Sequence, residues 1–187
     1  MVKRPGFENL GLALRAREFE SRSHRHMDKN MVLISVACVF KESRRKDKWL
    51  IAQPKEDSDW ELPRIIVRKA ESSARASIRM CGEQLGISIQ VLEEAGRAGG
   101  VTTINDKTVP QRHLYYLAVR LDASEEAMAF HKIKWLDYAK AVRQLLQKRD
   151  RQMLKAAREE LVQWRRRQEK EELELKRIQL EKLQRQK

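Results

Sequence analysis

The sequence has few cysteines, few aromatic residues and no long apolar run. Two cysteines, Cys38 and Cys81, are too few for a disulfide framework or a four-ligand zinc site. Both lie in apolar segments, which predicts buried, reduced thiols and an intracellular, reducing compartment. No stretch approaches about 18 consecutive apolar residues, so we expect no membrane-spanning helix. Apolar residues make up 41% and aromatic residues 6% of 187 residues, enough for one modest core.

Several motifs of common chemistry are also missing. The sequence lacks the Gly-rich fingerprint of dinucleotide-binding folds, the phosphate-binding Gly-x-x-x-x-Gly-Lys loop and the Gly-x-Ser-x-Gly nucleophile turn. The four histidines have no metal-site spacing with a cysteine or a carboxylate. Tyr115 and Tyr116 alternate across a predicted strand, and we interpret both as packing residues.

Charge is what the sequence has in excess, with 36% charged residues and a net charge of +13. Residues 31–139 are nearly neutral, with 17 Lys/Arg and 15 Asp/Glu. Residues 1–30 hold seven and four, and residues 140–187 hold 16 and 8. We therefore expect an anionic partner to bind the ends, the alternative being that the terminal helices are simply solvated. The start of the chain is Arg-rich without a secretory h-region, and its glutamates favour the cytoplasm over the mitochondrial matrix.

Hydrophobic periodicity predicts an α+β fold, an α/β/α sandwich with a mixed sheet. The internal helix runs from a Ser72 cap to Gly86, with an apolar stripe of Ala74, Ile78, Cys81 and Leu85. Strands are predicted at 31–40 and 48–53, which form a hairpin, and at 87–93, 101–104, 113–121 and 132–135. The glycines at 96–100 predict a flexible corner, and Pro110 a loop.

A long helix is predicted to start near Tyr138, with Asp137 as its cap. Its apolar stripe breaks after Trp164, so it forms a long, basic C-terminal extension rather than a regular coiled coil. We divide the chain into a basic N-terminal extension at 1–29, a folded domain at 30–147 and a charged helical tail at 148–187.

Residues 60–87 resemble the signature of the Nudix superfamily. The family pattern is Gly, five residues, Glu, seven residues, Arg-Glu, an apolar residue, any residue, Glu-Glu, any residue, Gly and an apolar residue. This chain fits that spacing without a gap, beginning after the segment Trp60-Glu-Leu-Pro63. The matching residues are Glu71, Arg79, Cys81, Glu83, Gly86 and Ile87. The resemblance implies a Nudix-like domain over the predicted 30–147 region.

Three positions depart from that pattern, and they bear on activity. The opening glycine is Ile65, the glutamate beside the arginine is Met80, and the last glutamate of the pair is Gln84. In active members three carboxylates on one helix face bind Mg²⁺, which bridges a diphosphate. Here that face reads Met80, Glu83 and Gln84, and a thioether suits Mg²⁺ poorly.

The resemblance therefore implies a remnant catalytic site of Glu71, Arg79, Glu83 and Gln84. Glu71 and Arg79 shape the loop and helix, and Glu83 is the remaining metal ligand. Mg²⁺ is expected only if the protein is active, with Glu93, Glu94 or Asp106 supplying further ligands.

Two basic clusters on the C-terminal helix predict contacts to phosphates: Lys148, Arg149 and Arg151, and Arg165, Arg166 and Arg167. Our first hypothesis is a weakly catalytic or non-catalytic Nudix-like protein that binds RNA or a ribonucleoprotein, such as the ribosome, through its basic ends. One alternative is a Mg²⁺-dependent hydrolase of nucleoside diphosphate derivatives. Another is a protein–protein module that uses the C-terminal helix.

Overall fold

A computed structural model describes residues 31–43, 46–104, 106–121 and 129–185, so the predicted extension at 1–29 lies outside the described residues. The secondary structure elements in chain order are β1 (Val32–Lys41), β2 (Lys48–Gln53), β3 (Arg64–Ile66), α1 (Ser73–Leu85), β4 (Ile89–Ile104), β5 (Lys107–Arg120), β6 (Lys132–Asp137), α2 (Tyr138–Gln144) and α3 (Lys148–Arg185).

One six-stranded mixed sheet forms the centre of the domain. Its order is β4-β5-β1-β2-β6, with β3 pairing to β1 as well. β1 runs parallel to β5 and antiparallel to β2 and β3, which confirms the predicted hairpin and the mixed sheet. Val36 to Val39 are fully buried, because helices cover both faces of this β-branched, apolar strand.

The two faces of the sheet carry separate cores. On one face α1 packs through Met80, Cys81 and Leu85. On the other face α2 and α3 pack through Ala141, Leu145, Leu154, Ala157 and Leu161. This is the predicted α/β/α sandwich.

The ends of α1 are as predicted, but its buried face is not. Ser72 caps the helix by accepting from the Arg75 amide, and Gly86 ends it in the left-handed conformation. Ile78, predicted in the stripe, is 45% exposed, whereas Met80 is fully buried. Polar contacts to β1 set this rotation: Ser35 Oγ lies 2.6 Å from Ser77 Oγ, and it donates to the Ser73 carbonyl oxygen at 2.6 Å.

The predicted corner at 96–100 and the loop at Pro110 are wrong. β4 pairs with β5 from Ile89 to Ile104, with register shifts between Val91 and Glu93 and between Glu94 and Gly96. Val101 lies opposite Pro110, and a turn at Asp106 joins the two strands. Two of the glycines lie close to side chains of α3. A Cβ at Gly96 would lie 3.0 Å from Met153 Sδ, and one at Gly100 would lie 3.4 Å from Arg149 Nη1.

The long helix predicted from Tyr138 is two helices. Asp137 precedes α2, but its carboxylate accepts from Lys48 Nζ at 2.8 Å and makes no capping hydrogen bond. The chain is extended at Leu145, whose buried side chain joins the core, and α3 then begins at Lys148. The first half of α3 packs in the same core as α2, so the predicted boundary at 147/148 lies between two packed helices. The domain division stays a prediction.

Within the part of the chain that the structure describes, no helix combines the length and the apolar character needed to cross a membrane.

Asp150 fastens α3 to the sheet. Its carboxylate is fully buried and accepts from Arg64 Nη2 at 2.5 Å, Tyr115 Oη at 3.1 Å and the Leu62 amide at 3.3 Å. These donors belong to three segments of the chain, so one carboxylate ties α3 to β3, to β5 and to the segment before β3. The Arg64 side chain is 16% exposed, and its charge is largely desolvated.

We expect Asp150→Ala to lower the free energy of unfolding by about 2–4 kcal/mol, because it removes the acceptor of the Tyr115 hydroxyl and the Leu62 amide and leaves Glu61, at 3.3 Å, as a carboxylate partner of Arg64. Urea denaturation followed by tryptophan fluorescence measures this loss. Asp57→Ala, at an exposed loop position, is the control and changes stability by less than about 0.5 kcal/mol. A loss of under about 1 kcal/mol for Asp150→Ala would contradict the assigned role.

Candidate functional site

A charged clamp shapes the loop before α1. Arg79 donates to both carboxylate oxygens of Glu71, at 2.7 Å from Nε and 2.9 Å from Nη2. The Arg68 amide also donates to Glu71, at 3.0 Å. The hydrogen bonds from Arg79 lower the pKa of Glu71, and the pKa of Arg79 is raised in turn. The clamp closes a loop in which Ala70 adopts a left-handed backbone with φ 64°.

The helix face expected to hold a metal has a different character. Met80 is fully buried and packs in the apolar core between α1 and the sheet. Met80 therefore belongs to the buried face of α1, although the apolar stripe predicted from Ala74, Ile78, Cys81 and Leu85 did not include it. Gln84 is half-buried, and its backbone carbonyl accepts from the Ala129 amide at 3.1 Å.

Glu83 is the remaining carboxylate of this face, and arginines surround it. Its carboxylate lies 3.5 Å from Arg79 Nη1 and 3.8 Å from Arg68 Nη2, and its side chain is 56% exposed. Glu71, the other carboxylate that matches the signature, accepts from Arg79 at both of its oxygens. Glu83 is thus accessible, but its immediate neighbours are cations and not further oxygen ligands.

The residues expected to supplement Glu83 lie elsewhere. Glu93 accepts from Arg167 at 2.6 Å, and Glu94 is paired with Arg97. Asp106 forms the β4–β5 turn. Among the residues that the structure describes, no group of three or more His, Cys, Asp and Glu side chains is placed to hold a metal ion. The described residues therefore do not fit the Mg²⁺ site that the resemblance implies.

A cavity of about 340 Å³ opens beside the clamped loop. It is lined by Met31 to Leu33, at the start of β1, and by residues 66–73. Glu71 of the clamp and the loop before α1 form part of its wall.

The six predicted nucleic-acid-binding residues have different surroundings. Arg165 donates to Asp47 at 2.8 and 3.0 Å and to Glu42 at 3.3 Å, which raises the pKa of its guanidinium. Arg167 is bound to Glu93. Both therefore have their charge offset within the domain, and they dock α3 on the β1–β2 turn and on β4.

The other four lie closer to solvent. Lys148, Arg151 and Arg166 are exposed, and Arg149 is half-buried beside Gly100. Arg151 also donates to the Leu146 carbonyl oxygen at 3.2 Å. These residues keep a positive charge that a solvent-borne anion can reach.

Sequence reasoning missed two cations that extend this surface. Lys155 and Arg158 are exposed and follow Arg151 at spacings of four and three, which places the three residues on one side of α3. Lys155 Nζ lies 3.9 Å from Glu159 Oε1, and the Arg158 guanidinium lies 4.4 Å from the centre of the Tyr138 ring. We call Lys148, Arg151, Lys155 and Arg158 the basic stripe. The spacing of three and four residues indicates that these cations share one side of a helix, whereas the predicted clusters consist of residues adjacent in sequence.

Both cysteines and both adjacent tyrosines are core residues, as predicted. Cys38 and Cys81 are free and buried, and burial raises the pKa of the Cys81 thiol to about 12. Tyr115 faces α3 and Tyr116 faces α1, where its hydroxyl lies 2.5 Å from Ser73 Oγ.

Solved structures share this fold. An Ap4A hydrolase of C. elegans in a binary complex is 18% identical over 70% of this chain and 98% of its own, with a TM-score of 0.59. The NUDIX domain of Shewanella oneidensis NrtR complexed with ADP ribose is 19% identical over 77% and 98%, also at 0.59. A MutT protein from Methanosarcina mazei Go1 is 16% identical over 72% and 98%, at 0.53.

The described part of the chain therefore contains a domain with the Nudix fold. This confirms the resemblance read from residues 60–87. The sequence matches no protein-family model and no curated protein. At these identities the likeness establishes the fold alone.

His113 provides a titrating group within the α3-facing core. It is 2% exposed, and its Nδ1 has no hydrogen-bond partner in the structure. Burial, reinforced by the charges of Arg149 and Arg64, lowers its pKa from 6.5 to about 4. Between these two values the unfolded chain binds the proton and the folded chain does not, so stability falls as the pH drops from about 6.5 to about 4.

We expect the wild-type protein to lose up to about 3 kcal/mol more stability than His113→Phe between pH 7 and pH 4. Urea unfolding at pH 7, 5.5 and 4 measures the difference. Burial raises the pKa of neighbouring Glu61, but that carboxyl is common to both proteins and its effect cancels in the comparison. Parallel pH profiles for the two proteins would contradict the assignment.

Proposed function

We propose that this chain is a Nudix-fold protein that does not carry out metal-dependent hydrolysis and that binds RNA or a ribonucleoprotein through α3. The burial of Met80 carries the first part of this proposal. At the position where the resemblance implies a metal-binding carboxylate, the side chain is part of the apolar core. A carboxylate there would have to be buried among aliphatic groups, at a high desolvation cost.

The retained clamp supports a scaffold and not a reaction. Glu71 and Arg79 hold the loop, and the guanidinium that donates to both Glu71 oxygens offsets the negative charge that would attract a cation. With Gln84 neutral, Glu83 supplies one carboxylate where Mg²⁺ is usually held by one or two carboxylates together with substrate phosphates. The known fold relatives include hydrolases, so hydrolysis remains the alternative that the first experiment addresses.

We expect no release of phosphate or nucleoside monophosphate from nucleoside diphosphate derivatives above the level of Glu83→Gln. The reason is that the exposed face of α1 presents a single carboxylate, and arginines lie next to it. The assay is run with Mg²⁺ and with Mn²⁺, and circular dichroism checks that both proteins are folded. Turnover that disappears in Glu83→Gln would establish the hydrolase alternative instead.

The basic stripe supports the second part of the proposal. Its four cations are exposed on one side of the docked half of α3, and the buried Asp150 holds that half in place. Pre-positioned cations gain affinity for a phosphate backbone because binding releases condensed counterions. Arg166 lies further along the helix and extends the same positive surface.

We expect the triple variant Arg151→Gln/Lys155→Gln/Arg158→Gln to bind a fluorescent single-stranded RNA about tenfold more weakly than wild type. The slope of log affinity against log salt should fall by about 2, since each lost contact to single-stranded RNA removes about 0.7. Fluorescence anisotropy at several salt concentrations measures both quantities.

Lys55→Gln/Lys107→Gln/Lys132→Gln is the matched control. It removes the same number of positive charges at exposed positions outside α3. If both triple variants weaken RNA binding equally, the attraction is a net-charge effect and the basic stripe is not the binding surface.

A further inference from the structure

The second half of α3 leaves its leucines in solvent. Leu173, Leu180 and Leu183 are 67%, 61% and 60% exposed, whereas Leu154 and Leu161 in the first half are buried. Leu175 and Ile178 add to the apolar surface of this segment. We call residues 169–184 the distal segment. A cluster of exposed leucines on a helix that extends past its domain is typical of an interaction site.

The spacing of these leucines fits a helical seam. Leu180 follows Leu173 by seven residues and Leu183 follows Leu180 by three, which is the spacing of core positions in a helix pair. Lys176 occupies the position between them, and a single polar residue in such a seam is compatible with pairing and sets its register.

Charge is distributed unevenly along the distal segment. Residues 169–175 hold four Glu and one Lys, and residues 176–184 hold three Lys/Arg and one Glu. A parallel copy of the same helix would place like charges opposite each other. An antiparallel copy places the acidic part of each helix against the basic part of the other, as complementary flanking charges do in paired helices.

Ion pairs within the helix stabilise the helical conformation of the distal segment. Lys176 lies 2.7 Å from Glu172 and Arg177 3.1 Å from Glu181, all with side chains at least half-exposed. Ion pairs four residues apart stabilise an exposed helix, so association costs less conformational entropy. The distal segment as a whole holds five acidic and four basic residues, a balance that suits a protein partner better than a polyanion.

We infer that the distal segment binds a second copy of this chain, antiparallel, through a seam of Leu173, Leu180 and Leu183. Residues 169–184 span about 24 Å, a short seam, so the dimer forms at micromolar concentration and dissociates on dilution. The surface lies on the part of α3 that makes no contact with the core, and it is separate from the basic stripe.

Sedimentation velocity of the full chain, over about 1 to 200 µM and after nuclease treatment, tests the inference. Wild type should shift from the monomer mass to twice that mass, and Leu180→Glu should weaken association about tenfold or more. Leu146→Glu is the matched control, because Leu146 is equally exposed at 65% but lies between α2 and α3. A monomer over the whole range, or a mass increase that nuclease abolishes, would overturn the inference.

A charge exchange tests the antiparallel arrangement. Glu169→Lys/Glu174→Lys changes the net charge of the segment from −1 to +3, and Arg177→Glu/Lys182→Glu changes it from −1 to −5. Each variant alone should remain monomeric where wild type dimerises, and an equimolar mixture should restore the dimer. Circular dichroism confirms that each helix is intact. Dimers of either variant alone as tight as those of wild type would show that these charges do not face each other.

Discussion

The contact of the buried Asp150 carboxylate with Arg64, Tyr115 and the Leu62 amide is the interaction on which the arrangement of this domain depends. Besides aliphatic contacts, the other polar contacts of α3 with the domain include the half-exposed ion pairs of Arg165 and Arg167 near the middle of the helix. A buried carboxylate with three directional donors fixes the position and rotation of the helix. The direction in which the basic stripe faces, and the point at which the distal segment leaves the sheet, both follow from that fixed rotation.

The sequence predicts those features whose causes are local. The ends of α1 follow from Ser72 and Gly86, and the β1–β2 hairpin follows from two apolar runs joined by a polar turn. The rotation of α1 could not be predicted from its apolar residues, because Ser73 and Ser77 hydrogen-bond to Ser35, nearly 40 residues earlier. Polar residues thus lie on the buried face, and Ile78 is left outside.

Long-range packing explains the other incorrect predictions. It also determines which parts of the candidate site could be predicted from the sequence. The glycines of β4 indicated a corner, yet Gly96 lies in a paired strand against the Met153 side chain of α3, much later in the chain. The clamp of Glu71 and Arg79 could be read from a signature of fixed spacing, since it lies within one loop and helix. The pairing of Arg165 and Arg167 within the domain could not be predicted, because their acidic partners come from the β1–β2 turn and from β4, about 70 to 120 residues away.

The burial of Met80 also has a consequence for how α1 folds. Three carboxylates at spacings of three and four residues repel one another on a helix unless a cation lies between them. A helix built in that way folds most readily when divalent ions are present. In this chain the first of those positions contributes to the apolar core and the last is a neutral amide, so α1 carries no cluster of like charge on that face. The folding of α1 therefore does not depend on divalent ions. Methionine at position 80 both removes a carboxylate ligand and adds to the apolar core.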